Sequence, residues 1–203
     1  MKIAVIGASG NAGSRIVAEL VRRGHAVTAI VRHPDKVAAQ PGVTPVKGDL
    51  FDQPAMARLL AGHDAVVSAV HFVASDPAKL IDAVRESGVP RYLVVGGAGS
   101  LEVAPGVPLV TTPDFPVVYK AEAQKGADFL DLLRRQTDLN WTFLSPSALF
   151  VAGERTGKFR LGTDQLLIAA DGKSSISFED FAVALADEIE RPAHIRQRFT
   201  VGY

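Results

Sequence analysis

Residues 3–13 read Ile3-Ala4-Val5-Ile6-Gly7-Ala8-Ser9-Gly10-Asn11-Ala12-Gly13, a short apolar run followed at once by three glycines. The run is continuous and rich in β-branched residues, which predicts a strand that is covered on both faces. An amphipathic stretch over 12–23 follows, and Gly24 stands where a helix would end. The start of the chain is therefore predicted to form a strand, a tight glycine turn and a helix.

The spacing of the three glycines fits a loop that binds the phosphates of a dinucleotide. Gly7 permits the tight turn, Gly10 lets the backbone approach a pyrophosphate, and Gly13 lets helix and strand pack closely. Free N–H groups at the helix start, together with the helix dipole, favour an anion there. The loop residues expected to bind the cofactor are Gly7, Ser9, Gly10, Asn11, Ala12 and Gly13.

Outward from this loop, apolar runs alternate with amphipathic segments. The predicted strands are Ile3–Ile6, Ala26–Val31, Val43–Val46, Ala65–Val70, Tyr92–Val95, Trp141–Leu144 and Arg198–Val201. The predicted helices are 12–23, 54–61, 77–87, 119–135 and 179–190. Such alternation with short connections predicts an α/β fold, a Rossmann-type doubly wound parallel sheet. We expect residues 1–203 to form one domain, with a dinucleotide-binding core at 1–145 and a small C-terminal substrate cap at 146–203.

Composition excludes several classes of protein. The chain has 203 residues with 22 basic and 22 acidic side chains, so it has no global field that would hold nucleic acid. It has no cysteine, which excludes disulfides and thiolate catalysis, and its five histidines lack metal-ligand spacing, so we expect no metal. No apolar run is long enough for a membrane span or a signal peptide. We expect a cytoplasmic protein with a small-molecule substrate, of undetermined oligomeric state.

The end of the second predicted strand bears on which nucleotide is bound. An acidic residue about 20 residues beyond the glycines would bind the ribose hydroxyls of NAD. This chain instead has Arg32 and His33 at that point. Because a guanidinium suits a 2′-phosphate, NADP(H) is favoured over NAD(H). The alternative is that Arg32 is simply solvated, and Asp35 is interpreted as the cap of a short turn at 35–38.

The glycine pattern G-x-x-G-x-x-G resembles that of extended and atypical short-chain dehydrogenases. The whole chain resembles the small NAD(P)H-binding proteins of the atypical short-chain dehydrogenase/reductase group, in the NmrA-like and flavin-reductase or biliverdin-reductase-like branch. The stretches that carry the resemblance are Ile3–Gly13, Val31–Lys36, Lys47–Leu50, Asp64–Ala69, Val94–Leu101, Leu139–Pro146, Gly153–Gly157, Ile176–Phe181 and Arg198–Val201. They cover nearly the whole chain, and the glycine loop is the most specific of them.

The resemblance implies further cofactor contacts beyond the glycine loop and Arg32. Asp49 and Leu50 would lie along the adenine, although Asp49 is also placed to cap the helix that begins near Pro54. Ligands of open α/β sheets bind at the carboxyl ends of the strands, where the fourth, fifth and sixth predicted strands end. The remaining expected cofactor contacts are Ser68, Ala69, Val70, Gly96, Lys120, Ser145, Pro146 and Ser147.

The catalytic residues of the resembled family are not in their usual arrangement. Its dehydrogenases carry a serine after strand five and then Y-x-x-x-K on the next helix, where tyrosine donates a proton. Here Gly96 or Gly97 stands at the serine position, and Tyr119 is followed at once by Lys120, with alanine at 123. Neighbouring residues on a helix project about 100° apart, so these two side chains cannot form the usual pair. The candidates for a catalytic role are Tyr119, His71 and Ser100.

This departure limits the chemistry that the chain is expected to perform. Reduction of a ketone makes an alkoxide that needs a proton donor, whereas a reduced flavin or quinone is a delocalised anion that water can protonate. We therefore expect an NADPH-dependent reductase of a small planar acceptor, a flavin, quinone or bilin, with flavin as a substrate rather than a fixed cofactor. The alternatives are an NADP(H)-sensing regulator without turnover and, third, a sugar-nucleotide epimerase or dehydratase.

Overall fold

Strands and helices alternate along residues 1–203, all of which are described by the computed structural model. The strands are β1 (Lys2–Ile6), β2 (Ala26–Val31), β3 (Val43–Lys47), β4 (Ala65–Ser68), β5 (Tyr92–Val95), β6 (Glu102–Ala104), β7 (Val107–Pro108), β8 (Trp141–Pro146), β9 (Leu149–Val151), β10 (Arg160–Gly162), β11 (Ser175–Ser177) and β12 (Gln197–Gly202). The helices are α1 (Asn11–Arg22), α2 (Gln53–Leu60), α3 (Pro77–Ser87), α4 (Val117–Arg134) and α5 (Phe178–Glu190). None of these helices has the length and apolar character that crossing a bilayer requires.

The main sheet has eight strands in the order β10-β12-β8-β5-β4-β1-β2-β3. All neighbours pair in parallel except β10, which runs antiparallel to β12 at one edge. β1 lies between β2 and β4, so that Val5 is level with Ala29 and Val67. The strand order reverses between β1 and β4, and open α/β sheets bind ligands at such a point. The predicted doubly wound parallel α/β fold is confirmed.

Helices cover both faces of this sheet and bury their apolar stripes against it. On one face α1 and α5 meet, with Ile16, Leu20, Phe181 and Leu185 in one buried cluster. On the other face α2, α3 and α4 bury residues such as Leu60, Leu80 and Phe129 in a second cluster. Because both faces are covered, the central strands read as continuous apolar runs rather than alternating ones.

All seven predicted strands are present in the main sheet, with small differences at their ends. The fourth ends at Ser68 rather than Val70, because Ala69 turns towards the glycine loop and donates its N–H to the Ile6 carbonyl at 2.9 Å. The strands β6, β7, β9, β10 and β11 were not predicted. Each has only two or three residues, which is too short for a recognisable pattern of alternation.

Residues 146–203 do more than cap the sheet. Within this range β12 pairs with β8 as the seventh parallel strand, and α5 packs against α1. The Ser177 hydroxyl accepts a hydrogen bond from the Asp180 N–H at 2.9 Å and so caps the start of α5. β10 also pairs with β12 in the main sheet, and Ile176 of β11 is buried in the cluster between α1 and α5, so the segment expected to be a cap is built into the sheet and its core.

Candidate functional site

Two of the three loop glycines are required by close backbone contacts. Gly7 has φ of +81°, and a Cβ built on it would lie 2.3 Å from the Ala69 carbonyl oxygen. A Cβ on Gly13 would lie 2.2 Å from the Gly7 carbonyl oxygen. No side chain fits at either distance, so glycine at both positions lets β1, α1 and the segment after β4 come together.

Gly10 is different, because its backbone conformation (φ −75°, ψ 172°) is open to any residue. A Cβ there would meet only the Gly7 oxygen, at 3.3 Å, and the Ala69 oxygen, at 4.0 Å. Gly10 is the N-cap of α1 but supplies no side-chain cap, and the first turn of α1 has no acidic residue. The N–H groups of Asn11, Ala12 and Gly13 find no acceptor in the chain. These free donors, together with the positive end of the α1 dipole, suit a pyrophosphate.

The far end of α1 is fixed by a buried carboxylate. Glu19 is only 4% exposed and accepts hydrogen bonds from Arg22, Arg23 and Arg155 at 2.7–3.0 Å. Burial opposes ionisation of Glu19, but these three guanidinium groups outweigh it and hold the pKa of its carboxyl well below the usual range. Arg23 also bonds Asp187 of α5 at 2.8 Å. The glycine loop therefore stands on a helix that is anchored at its opposite end.

At the end of β2 the structure leaves two basic side chains free. Arg32 and His33 are exposed, and neither side chain makes a hydrogen bond or ion pair within the protein. Asp35 lies in a short 3₁₀ helix, Pro34–Lys36, and does not cap it. The guanidinium of Arg32 is thus available to a 2′-phosphate, and no carboxylate replaces it at the end of β2.

Asp49 and Leu50 follow β3, where the resemblance implies the adenine would lie. Asp49 does not cap α2; that role belongs to Asp52, whose carboxylate accepts from the Ala55 N–H at 3.1 Å. Asp49 is exposed, and one of its oxygens accepts from the Phe51 N–H at 2.9 Å. Leu50 packs partly against the core. The second oxygen of Asp49 has no partner in the chain and is available to a ligand.

The three residues expected to contact the cofactor at the end of β4 differ in their orientation. Ser68 is buried, and its hydroxyl shares a hydrogen bond of 3.0 Å with the Tyr92 hydroxyl inside the sheet. Burial raises the pKa of Tyr92 well above its usual range, which keeps that phenol protonated. A cofactor contact from the Ser68 side chain is therefore excluded by its orientation. Ala69 and Val70 do lie at the glycine loop, within 3.0 Å of a Cβ built on Gly7.

The end of β5 is shaped by packing rather than by a catalytic serine. A Cβ on Gly96 would lie 2.4 Å from the Phe143 ring, so only glycine fits. The Ser100 hydroxyl is engaged within the protein, because it accepts a hydrogen bond from Arg198 of β12 at 3.4 Å. The role of Ser100 as a substrate contact is thus not supported by its position.

The start of α4 is exposed, and the expected proton-donor pair is absent from it. Tyr119 is 63% exposed, and its hydroxyl and the amine of the exposed Lys120 bond to nothing in the chain. Ala123, at the usual lysine position, is packed so closely on Gly99 that a Cβ on Gly99 would be 2.7 Å away. No lysine therefore shares a helix face with Tyr119 at this site.

The three residues at the end of β8 turn their side chains into the protein. Ser145, Pro146 and Ser147 are buried; the Ser147 hydroxyl donates to the Val201 carbonyl at 3.1 Å, and the Ser145 hydroxyl has no partner. Neither hydroxyl faces the open edge. Any contact from this segment to a cofactor must come from its backbone.

One residue at this edge was missed by the sequence analysis. Glu122, in the second turn of α4, accepts hydrogen bonds from the N–H groups of Phe72 at 2.8 Å and Val73 at 2.9 Å. The Nδ1 atom of His71 lies 3.3 Å from the same carboxylate. Glu122 stands three residues after Tyr119, but nothing in its spacing indicates partners so far away in the chain. It joins α4 to the loop that follows β4.

Three of the other histidines make structural contacts. His25 bonds Glu190, His63 bonds Thr28 and His194 bonds Glu188, each at 2.8 Å. No group of three His, Asp or Glu side chains is arranged to hold a metal ion.

Known proteins are similar to this chain in sequence and in fold. A family model described as NAD(P)H-binding matches residues 7–192. The uncharacterized protein YwnB of Bacillus subtilis (strain 168) is 42% identical over 211 residues, covering 99% of this chain and 98% of YwnB.

Three solved structures are also similar over the whole chain. A candidate exported protein from Burkholderia pseudomallei is 47% identical with a TM-score of 0.91, and each chain is covered completely. A candidate epimerase from Bacteroides thetaiotaomicron is 38% identical with a TM-score of 0.95, covering 100% of this chain and 96% of the other. A candidate NADH-flavin reductase from Streptococcus pneumoniae TIGR4 is 42% identical with a TM-score of 0.86, covering 100% and 99%.

Proposed function

The chain belongs to the NAD(P)H-binding family, and from that premise we propose that it is an NADPH-dependent reductase acting on a small planar acceptor: a flavin, quinone or bilin. The observation that carries the proposal is the missing proton-donor pair, beside a glycine loop whose helix N–H groups have no acceptor in the chain. Tyr119 has no lysine partner. Ala123 occupies the position of the usual lysine, four residues after Tyr119, and packs on Gly99. A carbonyl substrate needs a positioned acid, whereas an acceptor that forms a delocalised anion does not.

The residues that would hold the cofactor follow from the glycine loop and the end of β2. The free N–H groups of Asn11, Ala12 and Gly13 would donate to the pyrophosphate, and the guanidinium of Arg32 would bind the 2′-phosphate. When bound, the nicotinamide ring supplies the hydride. The protein's contribution is then to orient the ring and the acceptor against each other, because proximity can supply most of the rate enhancement of such a transfer.

The acceptor side supports a planar, apolar molecule. Val73, Val117, Val118 and Tyr119 leave 59–86% of their surface exposed at the start of α4 and the adjoining loop. Exposed apolar side chains grouped around an open site are typical of ligand-binding surfaces. The similarity to a candidate NADH-flavin reductase supports the same class of acceptor.

The test is NADPH oxidation by the purified protein with a panel of FMN, a naphthoquinone, biliverdin and simple ketones, run beside a calorimetric titration of NADPH and NADH. We expect turnover with at least one planar acceptor and none with the ketones. Tight NADPH binding without turnover by any acceptor would support the sensing role instead. Turnover of ketones alone would contradict the proposal, and release of a tightly retained oxidised cofactor would favour an epimerase.

The cytoplasmic location expected from the sequence stays a prediction, because one of the similar structures is named as a candidate exported protein.

A further inference from the structure

We propose that Glu122 is a positioning residue that joins the two walls of the acceptor site, namely the loop after β4 and the start of α4. The inference rests on the proposed function, since it assigns a role within that same site. It concerns a residue that the resemblance to short-chain dehydrogenases does not include.

The contacts of Glu122 are those of a helix cap supplied from another element. The short 3₁₀ helix Phe72–Ala74 follows His71, which gives it no side-chain cap. Glu122 fills that role from α4, because its two oxygens accept separately from the N–H groups of Phe72 and Val73. Hydrogen bonds to a charged acceptor are stronger than those between neutral groups. The loop is therefore tied to α4 by a carboxylate and not merely placed beside it.

A second contact fixes the buried side of the same loop. The Phe72 ring lies over Gly126, where a Cβ would be 2.8 Å from it. It packs edge-on against Phe129 with ring centroids 5.9 Å apart, and it is stacked on Phe143 at 6.3 Å. Phe72 thus anchors the loop to the core, while Glu122 fixes the part that is exposed at the site.

The exposed part is the part that would meet an acceptor. His71 and Val73, on either side of Phe72, are 84% and 59% exposed. Val118 and Tyr119 lie one helical turn before Glu122 and therefore on its side of α4. The two exposed walls meet at Glu122, and without its carboxylate the amides of Phe72 and Val73 would have no acceptor. The exposed parts of the two walls would then be held together only through the packing of the Phe72 ring on Gly126 and Phe129 of α4.

The test compares Glu122→Ala, Glu122→Gln and a matched control, Asp128→Ala, whose carboxylate lies on the same helix and bonds only Gln124. Hydrogen exchange of the Phe72 and Val73 amides is measured on the protein without ligand. NADPH affinity is measured by calorimetry, and kcat and KM are measured for FMN or for the planar acceptor that the panel identifies. Melting temperatures show that each variant is folded.

We expect Glu122→Ala to speed exchange of both amides at least about tenfold, since their hydrogen bonds are lost. Acceptor kcat/KM should fall about 10- to 100-fold, because small misplacements at a reacting site are costly. NADPH affinity should stay within about twofold. Glu122→Gln keeps one accepting oxygen and should be intermediate, and Asp128→Ala should match the unaltered protein. Unchanged exchange, unchanged acceptor kinetics, or an equal loss in Asp128→Ala would overturn the proposal. If the unaltered protein fails to bind NADPH, the proposed function is refuted and this role for Glu122 falls with it.

Discussion

The two sides of the binding edge are held together by different means. On the β1 side, Gly7 and Gly13 lie so close to neighbouring backbone that no side chain fits at either position. On the α4 side, the connection is made by side chains, Glu122 and the Phe72 ring, and the apolar residues at the start of α4 remain exposed. The glycine loop, residues 7–13, forms a cradle of closely packed backbone. Such a cradle accepts only a ligand that matches its shape. A wall built from side chains can be changed with less effect on the sheet, so under the proposed function the α4 side is where specificity for the acceptor can vary.

Gly13→Val should have the largest effect of the substitutions proposed, because it disrupts the backbone packing on the β1 side. Its side chain would collide with the Gly7 carbonyl, and α1 would have to move away from β1. We expect a loss of about 3 kcal/mol or more in the free energy of unfolding, as for severe overpacking. Chemical denaturation of the variant without ligand measures it. A denaturation curve equal to that of the unaltered protein would show that the cradle is not fixed by backbone packing.

Gly10→Val separates binding from folding in the same loop. The backbone conformation suits valine, and a small shift relieves the 3.3 Å contact with the Gly7 oxygen. We expect little change in stability but a loss of more than about 2 kcal/mol in NADPH binding, roughly 30-fold, because the branched side chain occupies the approach to the free N–H groups. Calorimetry that found undiminished NADPH affinity in the folded variant would remove the phosphate assignment.

Arg32→Asp tests the nucleotide preference at the edge of the cradle. The substitution removes the contact expected with the 2′-phosphate and supplies an acceptor for ribose hydroxyls, so NADPH binding should weaken by about 1.5 kcal/mol and the preference should turn to NADH. The matched control is Arg58→Asp, which makes the same charge change in the last turn of α2. The idea fails if the unaltered protein already prefers NADH, or if both variants shift the ratio equally.

Tyr119→Phe should give the smallest effect. Its hydroxyl bonds to nothing in the chain and has no lysine beside it, so kcat with a flavin or quinone should fall less than about tenfold. Tyr119→Ala, which removes the ring, should raise the acceptor KM further. Steady-state kinetics with solvent deuterium effects measure both. A thousandfold drop in kcat for the phenylalanine variant, at constant KM, would identify Tyr119 as the proton donor and return carbonyl compounds as substrates.

The features that the sequence alone could predict are those set by local spacing, and the features it could not predict depend on partners far away in the chain. Strands, helices and the glycine loop follow from local spacing, and the doubly wound fold is confirmed from them. The orientation of Ser68 into the sheet could not be predicted, because it depends on pairing with Tyr92 in a neighbouring strand. Glu122 was missed for the same reason, since its partners come from another element. The integration of α5 and β12 was underestimated because their partners, α1 and β8, precede the segment in the chain and the contacts are long-range.

The contact between Gly7 and the Ala69 carbonyl also affects the order in which the protein folds. The turn that carries the phosphate site is completed by a strand end far along the chain, so it is finished only after β4 has paired with β1. Such long-range pairing is the slow part of forming a parallel sheet. A nucleotide present during refolding therefore finds its site only once that pairing exists: it can retard unfolding of the finished molecule, but it cannot guide the early steps of folding.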